Sequence, residues 1–111
     1  MTLQSKLRRL SGALTSIENL RVYHYWRPKM EPPFCVWAED GETAARWTGN
    51  HQGEQAVGGT VDYYTLREFD PDIDRIQEAL NTLEGCGWRL ESVQYEEDTN
   101  LIHYEWYWRL I

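Results

Sequence analysis

The ten-residue segment Leu101–Leu110 constrains the fold of the chain more than any other segment. Within Leu101–Leu110 the side chains are apolar at every second position, namely Ile102, Tyr104, Trp106, Trp108 and Leu110. Alternation with a period of two predicts a β-strand with one apolar face and one mixed face. An apolar sheet face needs a second layer to cover it, so this strand predicts a layered domain.

Upstream segments repeat the same period and predict further strands. Aromatic and β-branched residues between turn-forming residues indicate strands at Arg21–Trp26, Phe34–Ala38, Ala44–Thr48 and Thr60–Leu66. Trp88–Tyr95 and Leu101–Leu110 flank the polar turn Glu96–Asn100 and are expected to form a hairpin. These strands predict a largely antiparallel sheet.

Two segments have helical periodicity instead. In residues 2–17 the apolar positions recur at intervals of four and three, which places them on one stripe: Leu3, Leu7, Leu10, Leu14 and Ile17. The second helix is predicted over 70–84, with Asp70 as N-cap, Pro71 at the first helical position and Gly85 after the end.

The order of these elements predicts the fold class. At 111 residues the chain can build one core, so residues 1–111 are expected to form a single domain. The predicted class is α+β, in the order α-β-β-β-β-α-β-β, with helices packed on one face of a mostly antiparallel sheet. The polar, glycine-rich stretch 42–59 is predicted to be a flexible arm or loop.

Charge and cysteine content narrow the classes of function. The formal net charge of −7 disfavours a general phosphate-binding surface, so no sequence-specific binding to nucleic acid is expected. The chain has no apolar signal segment and no run long enough to span a membrane. Cys35 and Cys86 form no scaffold pattern, which favours a reducing cytoplasm.

The sequence contains no catalytic motif, so we expect a protein that is not an enzyme and has no cofactor. No His or Cys pair has metal-ligand spacing, and neither a nucleophile motif nor a phosphate-binding loop occurs. The acids of the turn, Glu96, Glu97 and Asp98, are expected to form a solvated tip. Glu105 leaves one alternative open: a cleft shared with Trp106 and Trp108, which would raise its pKa and could bind a carbohydrate or another small ligand.

The aromatic content is the most informative anomaly. Six Trp and seven Tyr are more rings than so small a domain is expected to bury. Trp and Tyr are also the residues that anchor protein interfaces. The excess therefore predicts contacts between subunits.

Five blocks between Pro33 and Trp108 carry a family resemblance. They read PFCVWAEDG, RWTGN, GGTVDYYT, DPDIDRIQEALN and SVQYEEDTNLIHYEW, and the last two are the most specific. The pattern covers about two-thirds of the chain and resembles small prophage proteins encoded among head and tail morphogenesis genes. That group is similar to the tail terminator, or tail completion, proteins of long-tailed bacteriophages.

The resemblance implies a structural role in the virion tail or neck, after assembly in the bacterial host cytoplasm. It implies a homo-oligomeric ring, a hexamer, that caps the tail tube protein, ends its polymerisation and joins it to the head-completion or connector protein. Subunit contacts are expected at Trp47, Thr48, Asn50 and His51 in the arm, and at Tyr64 and Trp106 on exposed strand faces. A head-closure or stopper subunit remains an alternative, beside the ligand-binding module.

Overall fold

The structure, a computed structural model, is an α+β domain with two helices on one face of a mostly antiparallel sheet. It describes residues 1–43 and 55–111, together with the backbone of 47–48 and 51–52. In chain order the elements are α1 (Leu3–Thr15), β1 (Val22–His24), β2 (Phe34–Thr43), β3 (Trp47–Thr48), β4 (His51–Gln52), β5 (Ala56–Thr65), α2 (Pro71–Thr82), β6 (Cys86–Glu96) and β7 (Leu101–Leu110).

Five of the strands form the main sheet, in the order β1-β2-β5-β7-β6. β1 is parallel to β2, and the other neighbours are antiparallel. β3 and β4 pair only with each other. The fold class is confirmed, but the main sheet has three strands between the helices where the sequence predicted four. The predicted strand Ala44–Thr48 lies outside the described residues except for β3.

Both helices begin and end close to the predicted positions. The Thr2 side chain caps α1 by accepting a hydrogen bond from the Ser5 amide, 3.1 Å away. α2 begins at Pro71, as expected of a residue that lacks an amide hydrogen. Neither helix is long and apolar enough to cross a bilayer, within the part of the chain that the structure describes.

The core lies between the two helices and the sheet. Leu10 and Leu14 of α1 and Ile76 and Leu80 of α2 are fully buried against it. The sheet contributes the large buried rings, which are Trp37, Tyr63, Trp106 and Trp108. The domain therefore buries at least three of its six indoles within one subunit.

Asp70 joins the central strand β5 to the second helix. Its Oδ1 caps α2 by accepting from the Asp72 amide at 2.9 Å. Its Oδ2 accepts from the Tyr63 hydroxyl at 2.6 Å and from the Thr65 hydroxyl at 2.7 Å. Burial alone would raise the pKa of Asp70, but these hydrogen bonds outweigh it and hold the pKa below its usual value. The buried carboxylate thus fixes where α2 starts on the sheet.

The prediction of a flexible arm at 42–59 is wrong at both ends. Residues 42–43 belong to β2 and residues 56–59 to β5, while most of 44–54 lies outside the described residues. The glycines Gly58 and Gly59 were interpreted as signs of a loop. In the structure they lie in β5, where the absence of a Cβ allows neighbouring strands to approach closely. A Cβ at Gly59 would collide with the backbone of Ala38, and one at Gly58 would lie 2.9 Å from the Tyr107 hydroxyl.

Candidate functional site

The strand β6 forms one edge of the sheet and is the longest strand, with eleven residues. It pairs with β7 on one side only, so its other side presents backbone N–H and C=O groups that no strand of the main sheet covers. An exposed edge of this length is a template for pairing with another chain unless charge or covering segments protect it. This edge is therefore a candidate docking surface.

Three apolar side chains lie along this edge and are half exposed. Leu90, Val93 and Tyr95, which we call the β6 strip, have relative exposures of 46%, 50% and 57%. Their register partners on β7 are Trp106, Tyr104 and Ile102, so the strip lies on the face of the sheet that carries the helices. The helices cover the centre of that face and leave the strip open.

A β-bulge brings the three residues to one face. Between Leu90 and Ser92 the register shifts, so that Leu90 pairs with Trp106 and Ser92 pairs with Glu105. In a regular strand Leu90 would face the side opposite to Val93 and Tyr95. Glu91 is the additional residue, and its carboxylate accepts a hydrogen bond from Arg89 Nε at 2.8 Å.

The turn that follows β6 is acidic and ordered. The Tyr95 hydroxyl donates to Asn100 Oδ1 at 2.8 Å, and the Leu101 amide donates to the Thr99 hydroxyl at 3.3 Å. These contacts close the turn while Glu96, Glu97 and Asp98 stay exposed. The prediction of a solvated acidic tip is confirmed.

The opposite edge of the sheet carries a second exposed apolar patch. Tyr25 and Trp26 follow the short strand β1 and are 61% and 63% exposed. The His24 ring stacks between the rings of Tyr25 and Trp37, with centroids 3.7 Å from each. The Tyr25 backbone has a φ of 76°, which is uncommon for a residue other than glycine, and its amide donates to the Trp37 carbonyl at 2.9 Å.

A carboxylate holds this aromatic stack in place. Glu39 Oε1 lies 2.7 Å from His24 Nε2, and Glu39 Oε2 accepts a hydrogen bond from the Tyr25 hydroxyl. Burial alone would raise the pKa of Glu39, but the hydrogen bonds from Tyr25 and His24 outweigh it and lower the pKa. The same hydrogen bond to Glu39 raises the pKa of Tyr25. The exposed Tyr25 is thereby fixed to the sheet.

The face of the sheet away from the helices bears a polar cluster. His103 Nε2 lies 2.7 Å from Asp62 Oδ1, and the Tyr64 ring stacks on the His103 ring with centroids 4.3 Å apart. The Arg27 guanidinium lies 4.5 Å above the Tyr64 ring. Burial, followed by repulsion from Asp62 and a hydrogen bond with it, raises the pKa of Glu105.

The ionisable groups of this cluster contact one another, because Asp62 pairs with His103 and shares a hydrogen bond with Glu105. Among the described residues, no group of three or more His, Cys, Asp and Glu side chains is arranged to hold a metal ion. Burial also raises the pKa of both thiols, that of Cys86 to about 11, so neither is an activated nucleophile.

The structure places the predicted subunit-contact residues in different environments. Trp106 is fully buried, and its Nε1 donates to Gln77 Oε1 at 2.9 Å, so its assignment to an exposed strand face is wrong. Tyr64 lies on the open face, half-buried beneath Arg27. Trp47, Thr48 and His51 belong to the β3–β4 pair, whose side chains lie outside the described residues, as does Asn50.

The ligand cleft around Glu105 is also contradicted. Trp106 and Trp108 are buried beneath the helices, whereas Glu105 pairs with Asp62 in the cluster on the other face. Neighbouring residues of a strand point to opposite faces, so these three side chains cannot line one site.

Sequence reasoning missed the β6 strip because it had no signal for the bulge. Simple alternation separates Leu90 from Val93 and Tyr95, and the bulge carries no glycine that would mark it. The sequence predicts a strand over Trp88–Tyr95. It does not predict whether that strand lies in the centre or at the edge of the sheet.

No protein-family model matches the chain, and no curated protein matches it significantly.

Proposed function

We propose that this protein is a non-enzymatic assembly subunit that works by docking with copies of itself and with a cylindrical partner. The sequence resemblance makes the proposal more specific, namely that the protein is a tail terminator of a bacteriophage or prophage. Its ring, a hexamer, caps the tail tube, ends tube polymerisation and joins the tube to the head connector. The observation that carries the proposal is the bare edge of β6 with its apolar strip.

The β6 strip exposes apolar surface to water, and covering that surface would provide free energy for binding. Each exposed apolar side chain gains roughly 25 cal/mol per Å² when it is covered. Leu90, Val93 and Tyr95 stand in one row beside unpaired backbone groups, so a partner can gain strand pairing and apolar burial together. A specific contact needs about 800 Å² per partner, and an eleven-residue edge with its flanking turn offers a surface long enough for it.

A ring explains how such a subunit stops growth. Subunits that join through unlike surfaces form a closed ring when the rotation between them completes a circle. A closed ring has two different ends, so one can bind the tube while the other meets the head connector. The capped end of the tube can then add no further tube subunits.

Electron microscopy of purified tail tubes tests the proposal. We expect the wild-type protein to form rings at one end of each tube. The variant Val93→Asp/Tyr95→Asp should fail to cap the tubes, because it places charge where a partner must exclude water. Met1 and Leu3 are exposed apolar residues at the start of the chain, and Leu3 lies in the first turn of α1, where the helix dipole favours an acid. Leu3→Asp is therefore the control for a single acid at an exposed apolar site, and it should cap the tubes like the wild type.

The same preparation separates the alternative of a head-closure or stopper subunit. A terminator binds tubes in the absence of heads, whereas a stopper binds isolated head connectors and leaves tubes uncapped. Wild-type protein that binds neither tubes nor connectors would contradict the proposed function altogether.

A further inference from the structure

The two edges of the main sheet carry opposite charge. Residues 20–30, which include β1, contain three basic side chains and no acid: Arg21, Arg27 and Lys29. Residues 90–100, which include most of β6, contain four acids and no base: Glu91, Glu96, Glu97 and Asp98. The formal charges are thus +3 and −4, on segments that flank or include β1 and β6, the two strands at opposite ends of the strand order. We call these segments the basic edge and the acidic edge.

Most of this charge is not matched within the subunit. Across residues 1–43 and 55–111, the ion pairs that involve either edge are His24–Glu39 and Arg89–Glu91. The Arg21 guanidinium donates to the carbonyl oxygens of Glu31 and Pro33, and the Arg27 guanidinium lies over aromatic rings. The acids of the turn and Lys29 face solvent.

Each edge also combines its charge with exposed apolar side chains. The basic edge exposes Tyr25, Trp26 and Met30, and the acidic edge exposes the β6 strip. Apolar side chains provide affinity when they are covered, whereas complementary charge guides which surfaces meet. The two edges therefore match each other in both respects.

We infer that the acidic edge of one copy binds the basic edge of the next copy, so that the subunits join head to tail. This inference rests on the proposed function and names the contact that would build the ring. A contact between two acidic edges would bring four negative charges against four, and a contact between two basic edges would repel in the same way. Only the unlike pairing is attractive, and unlike pairing is what permits ring closure.

Charge reversal at either edge tests the contact. The acidic-edge variant is Glu96→Lys/Glu97→Lys/Asp98→Lys, which changes the formal charge of that edge from −4 to +2. The basic-edge variant is Arg27→Glu/Lys29→Glu, which changes the other edge from +3 to −1. All five positions are exposed. The readout is sedimentation over a wide range of protein concentration. We expect the wild type to associate with rising concentration, and each variant to associate on the order of 100-fold more weakly, because like charges then face each other.

The decisive measurements combine the two reversed edges, first in a mixture of the two variants and then in one chain. A mixture of the two variants should regain association, because each reversed edge now meets an edge of opposite sign on the other variant. A chain with all five substitutions should also regain association on its own, because its edges carry +2 and −1. Neither result is expected if the substitutions merely damage the fold.

The matched control keeps the charge change and moves it to the helix layer. Glu18→Lys/Glu78→Lys/Glu84→Lys adds the same positive charge as the acidic-edge variant, at three exposed positions on or beside the helices, and should associate like the wild type. Wild-type protein that stays monomeric at every concentration, a single-edge variant that associates normally, or a mixture that fails to recover would each overturn the inference. Recovery of association in oligomers that bind neither tail tubes nor head connectors would confirm the contact and contradict the proposed function instead.

Discussion

Strands β7 and β6 are neighbours in the same sheet, yet their side chains on the helix face differ in burial. Trp106 and Trp108 of β7 are fully buried, while Leu90 and Tyr95 of β6 are about half exposed. The residues are equally apolar, so composition does not explain the difference. The position of the helices does, because α1 and α2 pack over the central strands and the start of β6, where Cys86 and Trp88 are partly buried, and leave the second half of β6 uncovered.

This comparison separates two uses of aromatic and aliphatic side chains in one small domain. The rings under the helices stabilise the fold. Those at the edges of the sheet contribute little to the fold and are available to a partner. Each region therefore predicts its own response to substitution.

The largest effect is expected for Trp106→Ala. Removal of a fully buried indole, together with its hydrogen bond to Gln77, should lower the free energy of unfolding by about 4 kcal/mol. Leu90→Ala at its register partner should lower it by less than about 1 kcal/mol, since the site is half exposed. Urea denaturation of both variants measures the contrast. Equal losses would mean that the edge strand is as much a part of the core as β7.

The next effect is expected at the junction of β5 and α2. Asp70→Ala removes the helix cap and the acceptor of the Tyr63 and Thr65 hydroxyls, so we expect a loss of about 3 kcal/mol. Asp74→Ala, an exposed acid in the same helical turn, should cost about 0.5 kcal/mol through the helix dipole alone.

Asp70 also predicts a dependence on pH. The folded state lowers the pKa of Asp70, so its contribution is present above the ordinary pKa of 3.8 and is lost as the pH falls below it. Unfolding curves recorded across the acid range should show this loss in the wild type and a smaller one in Asp70→Ala. Parallel pH profiles for the two proteins would exclude the proposed role of this carboxylate.

The smallest effect is expected on the open face. The pKa of Glu105 is raised, so the folded state gains stability when Glu105 is protonated and loses it as the pH rises above the ordinary value of 4.5. Glu105→Gln should remove this loss and raise stability near neutral pH by less than about 1 kcal/mol, because the group is partly solvated. A destabilised Glu105→Gln variant would instead indicate that the charged pair supports the fold.

Local pattern was enough to predict most of the fold. The alternation in Leu101–Leu110 and the punctuation of α2 by Asp70, Pro71 and Gly85 fixed the elements to within two residues. These signals are local, because a period or a cap depends only on near neighbours in the chain. The sequence could not reveal that Gly58 and Gly59 continue β5, since their requirement comes from Ala38 and Tyr107 on neighbouring strands.

The candidate site was harder to predict for a related reason. Trp106 was assigned to an exposed face because alternation shows that a strand has two faces, and not which one the helices cover. The edge position of β6 depends on the order of strands in the sheet, which is a non-local property. The excess of aromatic residues was a correct signal for exposed rings at Tyr25, Trp26 and Tyr95, but it did not identify them.

Backbone hydrogen exchange tests the central claim most directly. Dilute and concentrated solutions of the wild-type protein should differ at the two edges of the sheet. With rising concentration, we expect new protection at the amides of β6 and of residues 22–26, while the central strands β5 and β7 stay equally protected throughout. Exchange at β6 that remains fast in a solution where sedimentation shows oligomers would contradict the claim that this edge is the docking surface.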